Sequence, residues 1–91
     1  MSTQEIYEQS DLLFRRGMYK EAAANLTREI DRNPNDPIAH IGRANARTRM
    51  NDIQGAVEDF NKAADIYRAT GKLEKADQIL ERLQSFQRNN P

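Results

Sequence analysis

The amino-acid sequence predicts an all-α protein of five antiparallel helices stacked side by side. Three observations lead to this fold class. Apolar residues recur at the spacing of amphipathic helices, turn-forming residues interrupt this pattern at intervals, and the sequence repeats at an offset of 34 residues. At that offset residues 17–22 align with residues 51–56, and Leu26 aligns with Phe60. A two-helix unit of this length cannot bury its apolar face alone, so neighbouring units must stack and leave an extended surface for a binding partner.

The first two helices are delimited by glycine and proline. Helix 1 is predicted from about Thr3 to Arg16, because Gly17 can adopt the left-handed conformation that ends a helix. Helix 2 is predicted from about Tyr19 to Arg32, and it stops at the Asn-Pro-Asn-Asp-Pro segment 33–37. Asp36 is the expected N-cap of the next helix. The expected buried residues are Ile6, Ser10 and Leu13, with Leu12 beside them, then Ala22, Ala23, Leu26 and Ile30.

Three further helices complete the stack. We predict them from about Pro37 to Met50, from Ile53 to Ala69 and from Leu73 to Gln87, with turns at residues 51–52 and 70–72. The expected inward-facing residues are Ala39, Ile41, Ala44, Ala46, Ala56, Val57, Phe60, Ala63, Ala64, Tyr67, Ala76, Ile79, Leu80, Leu83 and Phe86.

Size and composition point to a single small domain over residues 1–91. Only 37% of the residues are hydrophobic, which suits a thin two-layer stack better than a thick globule. The 14 basic and 14 acidic residues balance, whereas a nucleic-acid-binding protein usually has a basic excess. The chain has no cysteine for disulfides and no apolar run long enough for a membrane span. We therefore expect a cytoplasmic protein that does not bind nucleic acid or membranes.

The repeated residues resemble those of the tetratricopeptide repeat family. That family alternates small residues at close helix contacts with a glycine or asparagine turn and larger apolar residues. The first repeat, about 3–36, supplies Ser10, Gly17, Tyr19, Ala22, Leu26 and Pro34. The second repeat, about 37–70, supplies Ala44, Asn51, Ile53, Ala56, Phe60 and Ala63. The resemblance implies a right-handed superhelix of paired helices that binds other proteins.

The chain departs from the family pattern at two positions and extends it at a third place. Glu29 replaces an alanine, and Arg68 replaces the proline that usually ends the second helix, so we expect helix 4 to be longer than helix 2. An overlapping third match would make helix 4 serve twice. Its residues are Ala64, Tyr67, Gly71, Leu73, Ala76, Leu80 and Leu83. Helix 5, about 72–88, is thus either the second helix of a third repeat or a solvating cap.

The resemblance also implies where a partner binds, because the first helix of each repeat lines the concave face in this family. Tyr7 and Phe14 lie seven residues apart on one stripe, and the buried stripe of helix 1 does not need them. Exposed apolar patches of this kind usually mark an interface. The predicted groove residues are Tyr7, Asp11, Phe14, Arg15, Ile38, Ile41, Asn45, Thr48 and Arg49. We expect a protein or peptide partner, with the chain acting as an adaptor or scaffold.

Other functions find less support in the sequence. The exposed apolar face could instead drive homo-oligomerisation, and the helix 3 arginines Arg43, Arg47 and Arg49 could contact RNA phosphates. By resemblance, Arg43 is expected to bond nearby helix carbonyls. His40 is the sole histidine, no cysteine accompanies it, and its own helix has no carboxylate three or four residues away. We therefore expect His40 to pack, with no metal or cofactor bound and no enzyme activity. The residues that grip a carboxyl terminus in some family members are absent, since Tyr7, Asp11 and Gly42 occupy their places.

Overall fold

Five α-helices joined by tight turns make up the structure. The computed structural model describes residues 1–89. Its helices are α1 Thr3–Arg15, α2 Tyr19–Arg32, α3 Pro37–Arg49, α4 Ile53–Ala69 and α5 Leu73–Asn89. The predicted all-α fold class is confirmed. The bounds of α2 and α4 are those predicted, whereas α1 and α3 end one residue earlier and α5 ends two residues later.

Side-chain caps and left-handed residues set the ends of the helices. The Asp36 carboxylate accepts a hydrogen bond from the Ile38 amide at 3.1 Å, and Asp52 caps α4 by accepting from the Gly55 amide at 3.0 Å. Gly17 has φ of 77°, as the sequence predicts, and Asn51 has φ of 62° in the equivalent turn of the second repeat. The turns at Gly17 and Asn51, 34 residues apart, therefore share a backbone conformation, and the repeat holds in structure as well as in sequence.

Packing runs mainly between consecutive helices, which produces a flat stack of 31 × 30 × 18 Å. Alanines at these contacts are fully buried, including Ala39, Ala44 and Ala56, because small side chains let the helix backbones approach closely. Larger residues fill the space between α3, α4 and α5. This core cluster comprises Ala44, Phe60, Ala64, Tyr67, Ala76, Ile79 and Leu83, with Ile41, Val57 and Leu80 packed against it.

Most of the predicted core is buried, with two kinds of difference. Leu12 is largely exposed and Leu13 only partly buried, since α1 lies at the end of the stack. Five other predicted inward-facing residues are also only partly buried: Ile30, Ile41, Val57, Leu80 and Phe86. Two carboxylates, Glu29 and Asp59, are fully or almost fully buried. Helix α4 has 17 residues against 14 in α2, as expected without a proline to end it.

Glu29 can be buried in place of an alanine because polar groups surround it. Its carboxylate accepts hydrogen bonds from the Thr3 hydroxyl at 2.8 Å, the Asn33 amide at 2.6 Å and the Arg32 guanidinium at 3.2 Å. These interactions hold the pKa of Glu29 below its usual range, and the hydrogen bond from Thr3 has the largest effect. Glu29 thereby links the first residue of α1 to the last turn of α2.

Candidate protein-binding groove

Helices α1, α3 and α5 present side chains to one surface, where two cavities lie end to end. The first, of about 270 Å³, lies between α1 and α3 with α2 beneath it, and we call it the apolar cavity. It is lined by Tyr7, Ser10, Asp11, Phe14, Ala22, Leu26, Ile38, Gly42 and Asn45. The second, of about 340 Å³, reaches α5, and we call it the basic cavity. It is lined by Phe14, Asn45, Thr48, Arg49, Phe60, Arg82 and Phe86.

The two cavities form one groove because they share lining residues. Phe14 on α1 and Asn45 on α3 line both of them. A single extended ligand could therefore occupy both cavities, with Phe14 and Asn45 at the boundary.

Small residues and one tyrosine shape the apolar cavity. Gly42 leaves room above Leu26, since a Cβ on residue 42 would lie only 3.0 Å from a Leu26 methyl carbon. The Tyr7 hydroxyl donates a hydrogen bond to the Asp36 carboxylate. Burial, together with this acceptor, raises the pKa of Tyr7 well above its ordinary value. The Ser10 hydroxyl is buried in the cavity lining without a hydrogen-bond partner among the described residues.

Aromatic rings and guanidinium groups build the basic cavity. Arg49 lies 5.5 Å from the ring centroid of Phe14 and 5.7 Å from that of Tyr19, and these two rings meet edge to face at 5.1 Å. Arg82 lies 5.1 Å from the ring centroid of Phe60 and donates a hydrogen bond to the Asn45 Oδ1 atom at 3.0 Å. Cation–π contacts of this kind hold a guanidinium in place without neutralising its charge.

The structure brings most of the predicted groove residues together. Those that line the two cavities are Tyr7, Asp11, Phe14, Ile38, Asn45, Thr48 and Arg49. Two others lie elsewhere. Arg15 is exposed and forms an ion pair with Asp11 at 2.7 Å, and Ile41 packs against the core cluster of α3, α4 and α5.

Sequence reasoning missed the contribution of α5 to the groove. Arg82 and Phe86 lie four residues apart, one helical turn, and both line the basic cavity. The repeat pattern predicts that α5 is a cap or the second helix of a third repeat, and the predicted groove residues include none from this helix. The spacing of Arg82 and Phe86 on a helix that follows α3 by one hairpin was the available signal.

The other arginines of α3 are held by a buried carboxylate. Asp59 on α4 accepts two hydrogen bonds from Arg43, at 2.9 and 2.8 Å, and one from Arg47 at 2.9 Å. Arg43 also donates to the Thr27 hydroxyl at 3.2 Å, and this side-chain network replaces the helix-carbonyl bonds expected for it. Arg43 and Arg47 are therefore engaged inside the protein rather than presented to phosphates.

His40 and the acidic residues give no sign of a metal centre. His40 is buried, and its Nε2 atom lies 2.8 Å from the Pro34 carbonyl oxygen. Among residues 1–89 no group of three His, Cys, Asp or Glu side chains is placed to hold a metal ion. Within the same residues, no helix combines the length and the apolar character that crossing a membrane requires.

Comparison with known proteins gives one family match, which covers the C-terminal third of the chain. The family model for the tetratricopeptide repeat matches residues 61–90, which begin within α4 and include α5. This range contains all the residues of the overlapping third match, from Ala64 to Leu83. A search of curated proteins finds no match. The family match at residues 61–90 agrees with the 34-residue repeat and with the five stacked helices, and together they support a tetratricopeptide repeat protein; repeats of this family generally serve in protein–protein interaction.

Proposed function

We propose that the chain binds a peptide segment or a partner helix of another protein in the groove formed by α1, α3 and α5. The observation that carries this proposal is the continuity of the apolar cavity with the basic cavity through Phe14 and Asn45. A continuous groove lined by aromatic and aliphatic side chains with a few polar groups suits an extended or helical segment better than a compact small molecule.

Exposed and half-buried apolar residues of the groove are the expected source of binding energy for a partner. Ile38 lines the apolar cavity and is 49% exposed, although it is a large aliphatic residue. Tyr7 and Phe14 are half-buried on the same surface, and aromatic anchors in such positions often contribute about 2 kcal/mol or more to an interface. A partner that covered these three residues would gain apolar burial that the free chain lacks.

A random peptide library selected on the immobilised chain tests the proposal. The enriched peptide is then titrated by fluorescence anisotropy against the wild type, Ile38→Asn and Leu73→Asn. Leu73 is the matched control because it is also an exposed aliphatic residue, 59% exposed, in the first turn of a helix, but it lines neither cavity. We expect Ile38→Asn to weaken binding about tenfold and Leu73→Asn to leave it unchanged.

Two results would count against this function. If no peptide is enriched, or if both variants weaken binding equally, the groove is not the binding site. Homo-oligomerisation is the alternative, and sedimentation over a concentration series distinguishes it. A wild-type dimer that Ile38→Asn converts to a folded monomer would assign the groove to a second copy of the chain.

A further inference from the structure

We propose that the basic cavity binds acidic side chains of the partner segment, while the apolar cavity holds a neighbouring apolar side chain. This inference rests on the proposed function and specifies the chemistry of the partner. The charges of the groove lead to it, because the two guanidinium groups in the basic cavity have no carboxylate partner among the described residues.

The contrast among the arginines shows that this lack of carboxylates is a local property. Arg43, Arg47 and Arg15 each form an ion pair with an aspartate. Arg49 and Arg82 form none with the described residues, and the basic cavity has no acidic lining residue. Its polar lining residues other than these two arginines are Asn45 and Thr48. In a chain with equal numbers of acidic and basic residues, this end of the groove therefore carries unbalanced positive charge.

Both guanidinium groups are positioned in advance of binding. Arg49 is fixed by the rings of Phe14 and Tyr19, and Arg82 by the ring of Phe60 and the amide oxygen of Asn45. Each group uses one hydrogen-bond donor in these contacts, Arg49 towards the Tyr19 hydroxyl at 3.4 Å and Arg82 towards Asn45. The remaining N–H donors are available, and a planar guanidinium binds carboxylates with two parallel hydrogen bonds.

The positions of the charged residues predict the orientation of the partner segment along the groove. Asp11 lies in the apolar cavity, where it would repel a second carboxylate, and its own charge is balanced by Arg15. The acidic residues of the partner are therefore expected at the α5 end, and the apolar residue at the Ile38 end. Because the arginines lie on two helices, they can engage two carboxylates. A pair of acidic side chains would use both guanidinium groups.

The test uses the same library, displayed with its carboxyl terminus fused so that no terminal carboxylate can bind. Selection is made on the wild type, and the enriched peptides are sequenced. The best peptide is synthesised with an amidated carboxyl terminus and measured against Arg49→Gln/Arg82→Gln. The control is Arg16→Gln/Arg28→Gln, which removes the same charge from exposed arginines that line neither cavity.

We expect the enriched peptides to share acidic residues next to an apolar residue. The groove double variant should bind at least about tenfold more weakly, and the control double variant within about twofold of the wild type. Higher salt should weaken wild-type binding. As a charge exchange, Arg82→Glu should recover affinity for a peptide whose acidic residue is replaced by lysine.

The outcomes separate this inference from the proposed function. Enriched peptides without acidic residues, or equal affinities for the two double variants, would overturn the acidic-partner inference and leave the groove function standing. A lack of any enriched peptide would overturn both. A single-stranded RNA oligonucleotide that binds through Arg49 and Arg82 more tightly than the peptide would show that the cavity prefers phosphates. Circular dichroism melting of each variant shows whether a loss of binding reflects unfolding.

Discussion

Removing the buried charge of Asp59 should destabilise the protein without affecting any groove residue. The Asp59 side chain is 4% exposed, and it receives three charge-assisted hydrogen bonds from Arg43 and Arg47. Asp59→Asn keeps one acceptor oxygen but places an amide nitrogen against guanidinium donors. It leaves Arg43 without a carboxylate partner, and Arg47 keeps only its longer ion pair with Asp52 at 3.6 Å. Breaking one side of a buried ion pair typically costs about 3–5 kcal/mol.

The lower end of that range applies here because the arginines can be partly hydrated. Their side chains are 15% and 25% exposed, so water can replace some of the lost hydrogen bonds. We expect a loss of about 3 kcal/mol in the free energy of unfolding. For a urea slope in the middle of the range of about 1–3 kcal/mol/M, the midpoint would fall by about 1.5 M.

Urea denaturation followed by circular dichroism measures this effect, with Glu58→Gln as the control. Glu58 is adjacent in sequence and exposed, so its neutralisation removes the same charge without touching the network. A double-mutant cycle with Arg43→Gln isolates the coupling between the two side chains. If Asp59→Asn shifts the midpoint no more than Glu58→Gln does, or if the two network changes are additive, the ion network does not stabilise the fold as described.

Three further predictions concern packing, pH and the last helix. Ala22→Leu and Ala56→Leu should each lower stability by about 1–3 kcal/mol, because both residues are buried at close helix contacts; unchanged melting temperatures would refute the packing. Glu29→Gln should reduce the dependence of stability on pH in acid. A lowered native pKa means that the Glu29 contribution is complete above its unfolded value, near 4.5, and is lost as pH falls through the native value. Urea midpoints from about pH 6 to pH 3 would test this, and parallel curves for the two proteins would contradict it. Deleting residues 72–91 should expose the apolar faces of Phe60 and Tyr67 and cause aggregation or non-cooperative melting. A truncated chain that remains monomeric and melts cooperatively would show that α5 is dispensable.

The helices were predictable because their signals are local. The turn at Gly17, the cap at Asp36 and the spacing of the alanines all act within a few residues, and the structure has helices close to the predicted bounds. The repeat then fixed which helices are neighbours, since each unit must cover the apolar face of the next. Local signals and a repeat length were therefore sufficient for the fold.

The polar interior and the α5 end of the groove depend on contacts between distant residues. Asp59 resembles any surface acid in its spacing along α4, and only the position of Arg43, 16 residues earlier, explains its burial. Glu29 was visible as a departure from the family pattern, but Thr3 lies 26 residues away. Likewise, the basic cavity exists only because the stack places Phe14 of α1 and Phe86 of α5 around the same space.

The order of the helices has a consequence for how the protein opens. Contacts run mainly between consecutive helices, so α1 rests chiefly on α2 and α5 chiefly on α4, while the three middle helices are held on both sides. Local opening should therefore begin at the two ends, and amide hydrogens there should exchange with solvent faster than those of α2, α3 and α4. Both end helices line the groove, so a ligand that contacts α1, α3 and α5 together would stabilise both ends of the stack against local opening. Its binding should slow exchange in both end helices at once, although they are remote in sequence.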